Sequence, residues 1–179
     1  PYFRQFGIGT ERVEEEARRV FPNAGVIRMD ADTTRRKNSH AKLLDIFRDG
    51  KADILVGTQM VAKGLDFHNV TLVGVISADT ILNMPDFRAA DRTFQLLTQV
   101  SGRAGRGDIP GEVYVQSFSP DHYAIRAAAK QDYLQFYEQE IQYRNELMYP
   151  PFSQLINILS QDIYPEKANQ RLDGLANML

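Results

Sequence analysis

The stretch Gln95-Leu-Leu-Thr-Gln99-Val-Ser-Gly102-Arg103-Ala-Gly105-Arg106-Gly107 sets two arginines among three glycines, directly after a segment of helical pattern. With Phe87–Ser101 as a helix, Gln95, Gln99 and Arg103 recur every four residues and share one face. That face carries two amides and a guanidinium where a packed helix would carry an apolar stripe. Arg106 follows on a glycine-flanked turn, where backbone can approach a ligand closely. Two forked donors that cannot be deprotonated suit a polyphosphate. The same residues would also make a solvated helix end, with a glycine cap and a cation at the negative end of the dipole. The rest of the chain decides between the two.

A second polar stretch, Gly57-Thr58-Gln59-Met-Val-Ala-Lys63-Gly64-Leu65-Asp66-Phe67, follows the short apolar run Ile54-Leu-Val56. It brings hydroxyl, amide, ammonium and carboxylate groups to the carboxyl end of a strand, where open parallel sheets gather ligands. Asp30-Ala-Asp32-Thr33-Thr34 stands at the end of another such run, Gly25–Met29. Paired aspartates there suit metal or acid/base chemistry, but more often they cap a turn. Arg35-Arg36-Lys37 reads as a solvated basic loop. Gly7-Ile-Gly9 lacks the third glycine and the preceding strand of a dinucleotide fingerprint and reads as a plain loop.

The elements that must carry these residues alternate. Thr10 caps a first helix, with Glu11, Glu14, Glu15 and Glu16 favouring its positive start and Val13, Ala17, Val20 and Phe21 as its apolar face. A strand follows near Gly25–Met29. Ser39 caps a helix over His40–Arg48, closed by Asp49-Gly50-Lys51. Further strands fall at Ile54–Val56, Thr71–Ile76 and Gly111–Ser117. Strands and helices alternating at these spacings predict a parallel, doubly wound α/β domain. A helical extension runs from Asp121 to about Met148, with Tyr123, Tyr133, Phe136, Tyr137 and Tyr143 at packing positions. Tyr149-Pro150-Pro151-Phe152 breaks it. Residues 152–160 alternate like a strand and 165–179 read as a helix, the cut-short start of a further α+β segment. The expected domains are therefore residues 1–149 and 150–179.

Composition excludes several classes. The 179 residues are 43% hydrophobic and 25% charged, which suffices for an ordinary core. A net charge of −2 excludes a wholly basic DNA-coating protein but permits a local groove. Without cysteine there is no disulfide framework or thiolate zinc site. His40, His68 and His122 show no ligand spacing, so no metal is assigned. No stretch approaches a membrane span and no signal pattern opens the chain, so the expected compartment is the cytoplasm. The opening Pro1-Tyr-Phe-Arg-Gln reads as cut from a longer polypeptide.

Together these residues resemble the second RecA-like lobe of superfamily 2 helicases. Gly57–Phe67 is similar to the family's motif V, and Gln95–Gly107 to its motif VI. The resemblance narrows to the bacterial primosomal replication-restart helicases. It rests also on Gly9-Thr-Glu-Arg-Val-Glu-Glu15, Arg28–Thr34, Met84-Pro-Asp-Phe-Arg88-Ala-Ala-Asp91-Arg92 and Tyr149–Phe152. It implies an ATP-driven 3′-to-5′ DNA translocase acting at stalled forks. By that resemblance Arg106 is an arginine finger on the γ-phosphate, Arg103 its partner, and Gln99 a coupling residue. Gly64 and Asp66 lie near the nucleotide's ribose or the lobe interface. Thr58, Gln59 and Lys63 hold the tracking strand, and Thr10, Arg12 and Thr33 are weaker DNA contacts. Single-stranded and forked DNA, primosome proteins and single-strand-binding protein are the implied partners.

The departures are equally specific. There is no Gly-x-x-x-x-Gly-Lys-Ser/Thr loop, since Gly50-Lys51 has Asp45 where the first glycine belongs, and no Asp-Glu dipeptide. ATP and Mg²⁺ are therefore expected to be held mainly by a first lobe absent here. The family's Zn²⁺ belongs to the full-length protein, with no ligands in this chain. Alone, the chain is expected to be inactive. The alternative is a non-catalytic RecA-like module that docks nucleic acid or a partner.

Overall fold

The computed structural model describes residues 9–34, 39–62, 69–102 and 110–178. The chain divides into two compact units, Pro1–Glu140 and Ile141–Leu179.

In the first unit the alternation is clear. Helix α1 (Thr10–Val20) leads to strand β1 (Val26–Met29), and α2 (Ser39–Arg48) leads to β2 (Ile54–Gly57) and the short α3 (Gln59–Ala62). Strand β3 (Leu72–Val75) is followed by α4 (Asp79–Leu82), α5 (Ala89–Ser101) and β4 (Glu112–Val115). Helices α6 (Tyr123–Lys130) and α7 (Tyr133–Glu146) complete the order, with α7 running past the unit boundary. β1 pairs with β2 in parallel, Val26 opposite Ile54 and Met29 opposite Gly57. β3 pairs with β4 in parallel, Leu72 opposite Glu112 and Val75 opposite Val115. Parallel neighbours need a crossover, and here helices supply it in both pairs. The class is α/β, as expected. The single sheet expected for it appears as two parallel pairs among the described residues.

Two apolar clusters hold these layers. Met29 and Leu44 are buried, with Leu43, Leu55 and Val61 packed on them. The larger cluster joins Phe94 and Leu97 of α5 to Ala124, Ile125, Ala127 and Ala128 of α6 and Phe136 of α7. The Phe94 and Phe136 rings stack with centroids 4.3 Å apart. Small alanines on α6 let it lie close to α5, so the helix leading into motif VI is braced from behind.

Several expectations are corrected. Thr10 is not the cap of α1: Gly9 holds that position and makes no side-chain cap bond. Val20 and Phe21 are 55% and 54% exposed, so the apolar face of α1 is confined to half-buried Val13 and Ala17. The helical extension is broken at Gln131, whose φ is 54°. Of its aromatics, Phe136 is buried and Tyr123 packs against the cluster; Tyr133 and Tyr137 are exposed but keep ring contacts, Tyr133 with Phe94 and Tyr137 with Tyr133, each with centroids 6.2 Å apart, while Tyr143 is exposed.

In the second unit, residues 152–160 form no strand. Alternation specifies two faces but not a partner, and a strand exists only as part of a hydrogen-bonded ladder. Ile156 and Leu159 there are largely exposed. Tyr149 N–H donates to the Arg144 carbonyl at 2.8 Å, and the Pro150–Pro151 bond is cis. Helix α8 (Pro165–Ala176) starts on its proline, where the missing N–H is not needed.

Candidate nucleotide and nucleic-acid site

The site is built on the carboxyl ends of β1 and β2. Because Met29 lies opposite Gly57, the next residues, Asp30 and Thr58, leave the sheet side by side. Gly57 is required there. A Cβ on it would stand 2.6 Å from the Met29 carbonyl oxygen and 2.6 Å from Val61 Cγ1. Glycine thus lets the chain turn tightly into α3, with Val61 folded back over the strand end. Thr58 and Gln59 are exposed on this edge.

Asp30 is the hub of the neighbouring loop. Its Oδ1 accepts from the backbone N–H groups of Asp32 (3.0 Å) and Thr33 (2.9 Å). Its Oδ2 accepts from the Thr10 hydroxyl at 2.7 Å. Arg28 Nη1 lies 3.3 Å from the same oxygen. These donors, with Thr10 foremost, hold the carboxyl down at about 2. The Thr33 hydroxyl is also engaged, accepting from Asp30 N–H and donating to the Asp30 carbonyl. Thr10 and Thr33 are therefore brought together through Asp30, and in this arrangement their hydroxyl protons are committed within the protein. Arg12 is exposed on the first turn of α1.

Helix α5 carries the second half. Ala89, Thr93, Leu97 and Val100 face the core, while Gln95 is exposed and Gln99 half-buried on the opposite side. This is the polar face expected from the four-residue spacing. Helix α3 packs against α5, so the residues that open motif V stand beside the helix that leads into motif VI. Lys63, Gly64, Asp66, Arg103 and Arg106 lie outside the described residues. Among the described residues, no group of three or more His, Cys, Asp or Glu side chains is placed to hold a metal ion. The exposed donors at this strand end, the Thr58 hydroxyl and the Gln59 amide, suit phosphate oxygens. No helix of the described residues is long and apolar enough to cross a membrane.

The linkage of Thr10 to Asp30 was not legible, because the two are twenty positions apart and nothing local marks the pair. The Asp30 turn had a signal in its Asp-x-x-Thr spacing.

The chain belongs to the helicase conserved C-terminal domain family, whose model matches residues 6–108. That family is RecA-like, in agreement with the α/β layers described above. Within it the chain is similar to Replication restart protein PriA of Bacillus subtilis (strain 168), 55% identical over 178 residues, 99% of this chain and 22% of the relative. It is 53% identical to Replication restart protein PriA of Synechocystis sp. over 156 residues, 87% of this chain and 19% of the relative. For Replication restart protein PriA of Haemophilus influenzae the identity is 40% over 171 residues, 96% of this chain and 23% of the relative. The chain thus spans about a fifth of the length of these relatives.

Proposed function

We propose that the chain is the second RecA-like lobe of an ATP-dependent 3′-to-5′ DNA helicase acting in primosome assembly and the restart of stalled replication forks. What supports the reading is the packing of α3, which opens the polar stretch after β2, against α5, which leads into the second polar stretch, in a chain of the helicase C-terminal domain family. The names of the relatives supply replication restart.

In this reading Arg106 is the finger that neutralises charge on the γ-phosphate, with Arg103 beside it and Gln99 coupling nucleotide to DNA. Gly64 and Asp66 lie near the ribose. Thr58, Gln59 and Lys63 hold the phosphates of the tracking strand, joined more weakly by Thr10, Arg12 and Thr33. ATP with Mg²⁺ supplies the phosphoryl-transfer chemistry and is held mainly by another lobe. This chain's own contribution is positioning and charge neutralisation, from which phosphoryl transfer gains most of its acceleration. Residues 150–179 open a following domain. Single-stranded and forked DNA, primosome proteins and single-strand-binding protein are the partners, and the compartment is cytoplasmic.

The test is Arg106→Ala in the full-length polypeptide. DNA-stimulated ATPase should fall by about 10³-fold or more, while single-strand binding is largely kept. An unchanged ATPase would remove the assignment.

A further inference from the structure

The segment between α4 and α5 carries Met84-Pro-Asp86-Phe87-Arg88, and none of the roles above uses it. Asp86 gathers two guanidiniums. Arg88 donates to it from the backbone N–H at 2.9 Å and from Nε at 3.2 Å. Arg92 Nη2 lies 3.0 Å from its other oxygen. The Arg88 backbone N–H, then its guanidinium, hold the Asp86 carboxyl below its ordinary range. Arg88 Cζ stands 5.3 Å from the centre of the Phe87 ring, which limits the freedom of its fork.

The two cations share the one Asp86 carboxylate. Both guanidiniums stay open to solvent, at 53% and 43% side-chain exposure. Each keeps N–H groups that Asp86 does not occupy. Asp91 is the other acid nearby. It stands three residues after Arg88 and four before Gln95, at the edge of the same face.

Periodicity then extends the patch. Arg88, Arg92, Gln95 and Gln99 stand at i, i+4, i+7 and i+11, one face of α5. That face is the one turned from the core: Arg88, Arg92 and Gln95 are exposed and Gln99 is half-buried. It runs ~16 Å from the first arginine to the last amide. Its start lies about four turns from Gly102, where the described part of the helix ends. A row of guanidinium and amide donors of this length suits successive phosphates of one strand.

We propose that the outer face of α5 is a phosphodiester-binding strip, with Arg88 and Arg92 gripping the backbone of a single nucleic-acid strand and Gln95 and Gln99 guiding it toward motif VI. The proposal rests on the helicase reading for the direction of travel but has its own test.

Binding of a fluorescein-labelled oligo(dT) to the full-length polypeptide is followed by anisotropy through a sodium chloride titration. Replacing both arginines, Arg88→Ala with Arg92→Ala, should weaken binding about tenfold at low salt. The slope of log affinity against log salt should flatten by about 1.4, two contacts at about 0.7 each. A second variant, Arg88→Gln with Arg92→Gln, keeps amide donors for Asp86 and should show the same flattening if the first fails to fold. An unchanged slope in a folded variant overturns the strip. So does a poly-glutamate peptide that displaces oligo(dT) from the native protein at matched charge, which would make an acidic polypeptide the occupant. If the slope is unchanged while Arg106→Ala abolishes ATPase, the strip alone falls. If ATPase survives Arg106→Ala, the finger assignment falls whatever the slope shows.

Discussion

The Thr10 hydroxyl donates to Asp30 Oδ2 at 2.7 Å, tying the first turn of α1 to the carboxyl end of β1. Arg28 strengthens the tie from the strand itself. Its Nη1 faces Asp30 and its Nε lies 3.0 Å from Glu14 Oε2, a Coulombic contact rather than an aligned hydrogen bond. Glu14 in turn accepts from Arg18, whose guanidinium also reaches the Val26 carbonyl at 2.7 Å. One polar chain therefore fixes the tilt of α1 over the β1–β2 edge where Thr58 and Gln59 emerge.

The tie has a pH signature. The Asp30 carboxyl is depressed from 3.8 to about 2 in the folded state. A depressed folded value means stability that is fully present above the unfolded value and is lost as pH falls. The loss should therefore run from about pH 4 to about pH 2, and amount to about 1–2 kcal/mol after screening by solvent. Thr10→Val should cost about 1 kcal/mol at neutral pH and shrink that acid loss, because the first of the stabilising donors is gone. Urea unfolding at several pH values checks both. An acid loss of the same size in Thr10→Val would assign the depression to other groups.

The turn after β2 gives a steric prediction. Gly57→Ala would place a methyl 2.6 Å from the Met29 carbonyl oxygen and from Val61 Cγ1. Such overpacking should cost about 1–3 kcal/mol. Adding Val61→Ala removes one of the two clashes, so the double variant should recover part of the loss beyond what additivity allows. The backbone clash with Met29 remains, and full recovery would mean that Val61 alone was the obstacle. Denaturant midpoints of the two single variants and the double variant measure this coupling.

What was legible in the chain follows from the range of the forces involved. The α5 face needed only the spacing of Gln95 and Gln99, and the strands needed only short apolar runs between turn residues. Thr10 departs from its expected capping role because it already lies inside the first turn, where its hydroxyl donates to the distant Asp30 carboxylate. The break at Gln131 carries no glycine or proline, so a residue in the left-handed region left no mark in the sequence. Residues 152–160 have the alternation of a strand but no ladder among the described residues, and alternation cannot supply one. The two motif VI arginines and Asp66 stand out by residue type and spacing alone, and they fall outside the described residues.

The start of α6 makes the last prediction. His122 is its N-cap, and its Nδ1 accepts from the Ala124 N–H at 3.2 Å. That bond requires an unprotonated Nδ1, so the imidazole must be neutral with its proton on Nε2. Burial pushes the His122 value below 6.5, opposed in part by the carboxylate of Glu140, which also accepts from the Tyr123 hydroxyl. A depressed value again means stability present above the unfolded value and lost as pH falls through the folded one. Below about pH 6.5 the cap should weaken. Helix α6 backs α5 through Ala124, Ile125, Ala127 and Ala128, so weakening it loosens the support of the motif VI helix. His122→Ala should cost about 1 kcal/mol at pH 7 or above and flatten the pH dependence below about 6.5. His122→Asn keeps an acceptor that does not titrate in this range, so it should retain most of the stability while showing the same flattening. Thermal unfolding across that pH range decides it: a native slope that persists in His122→Asn would place the titrating group elsewhere.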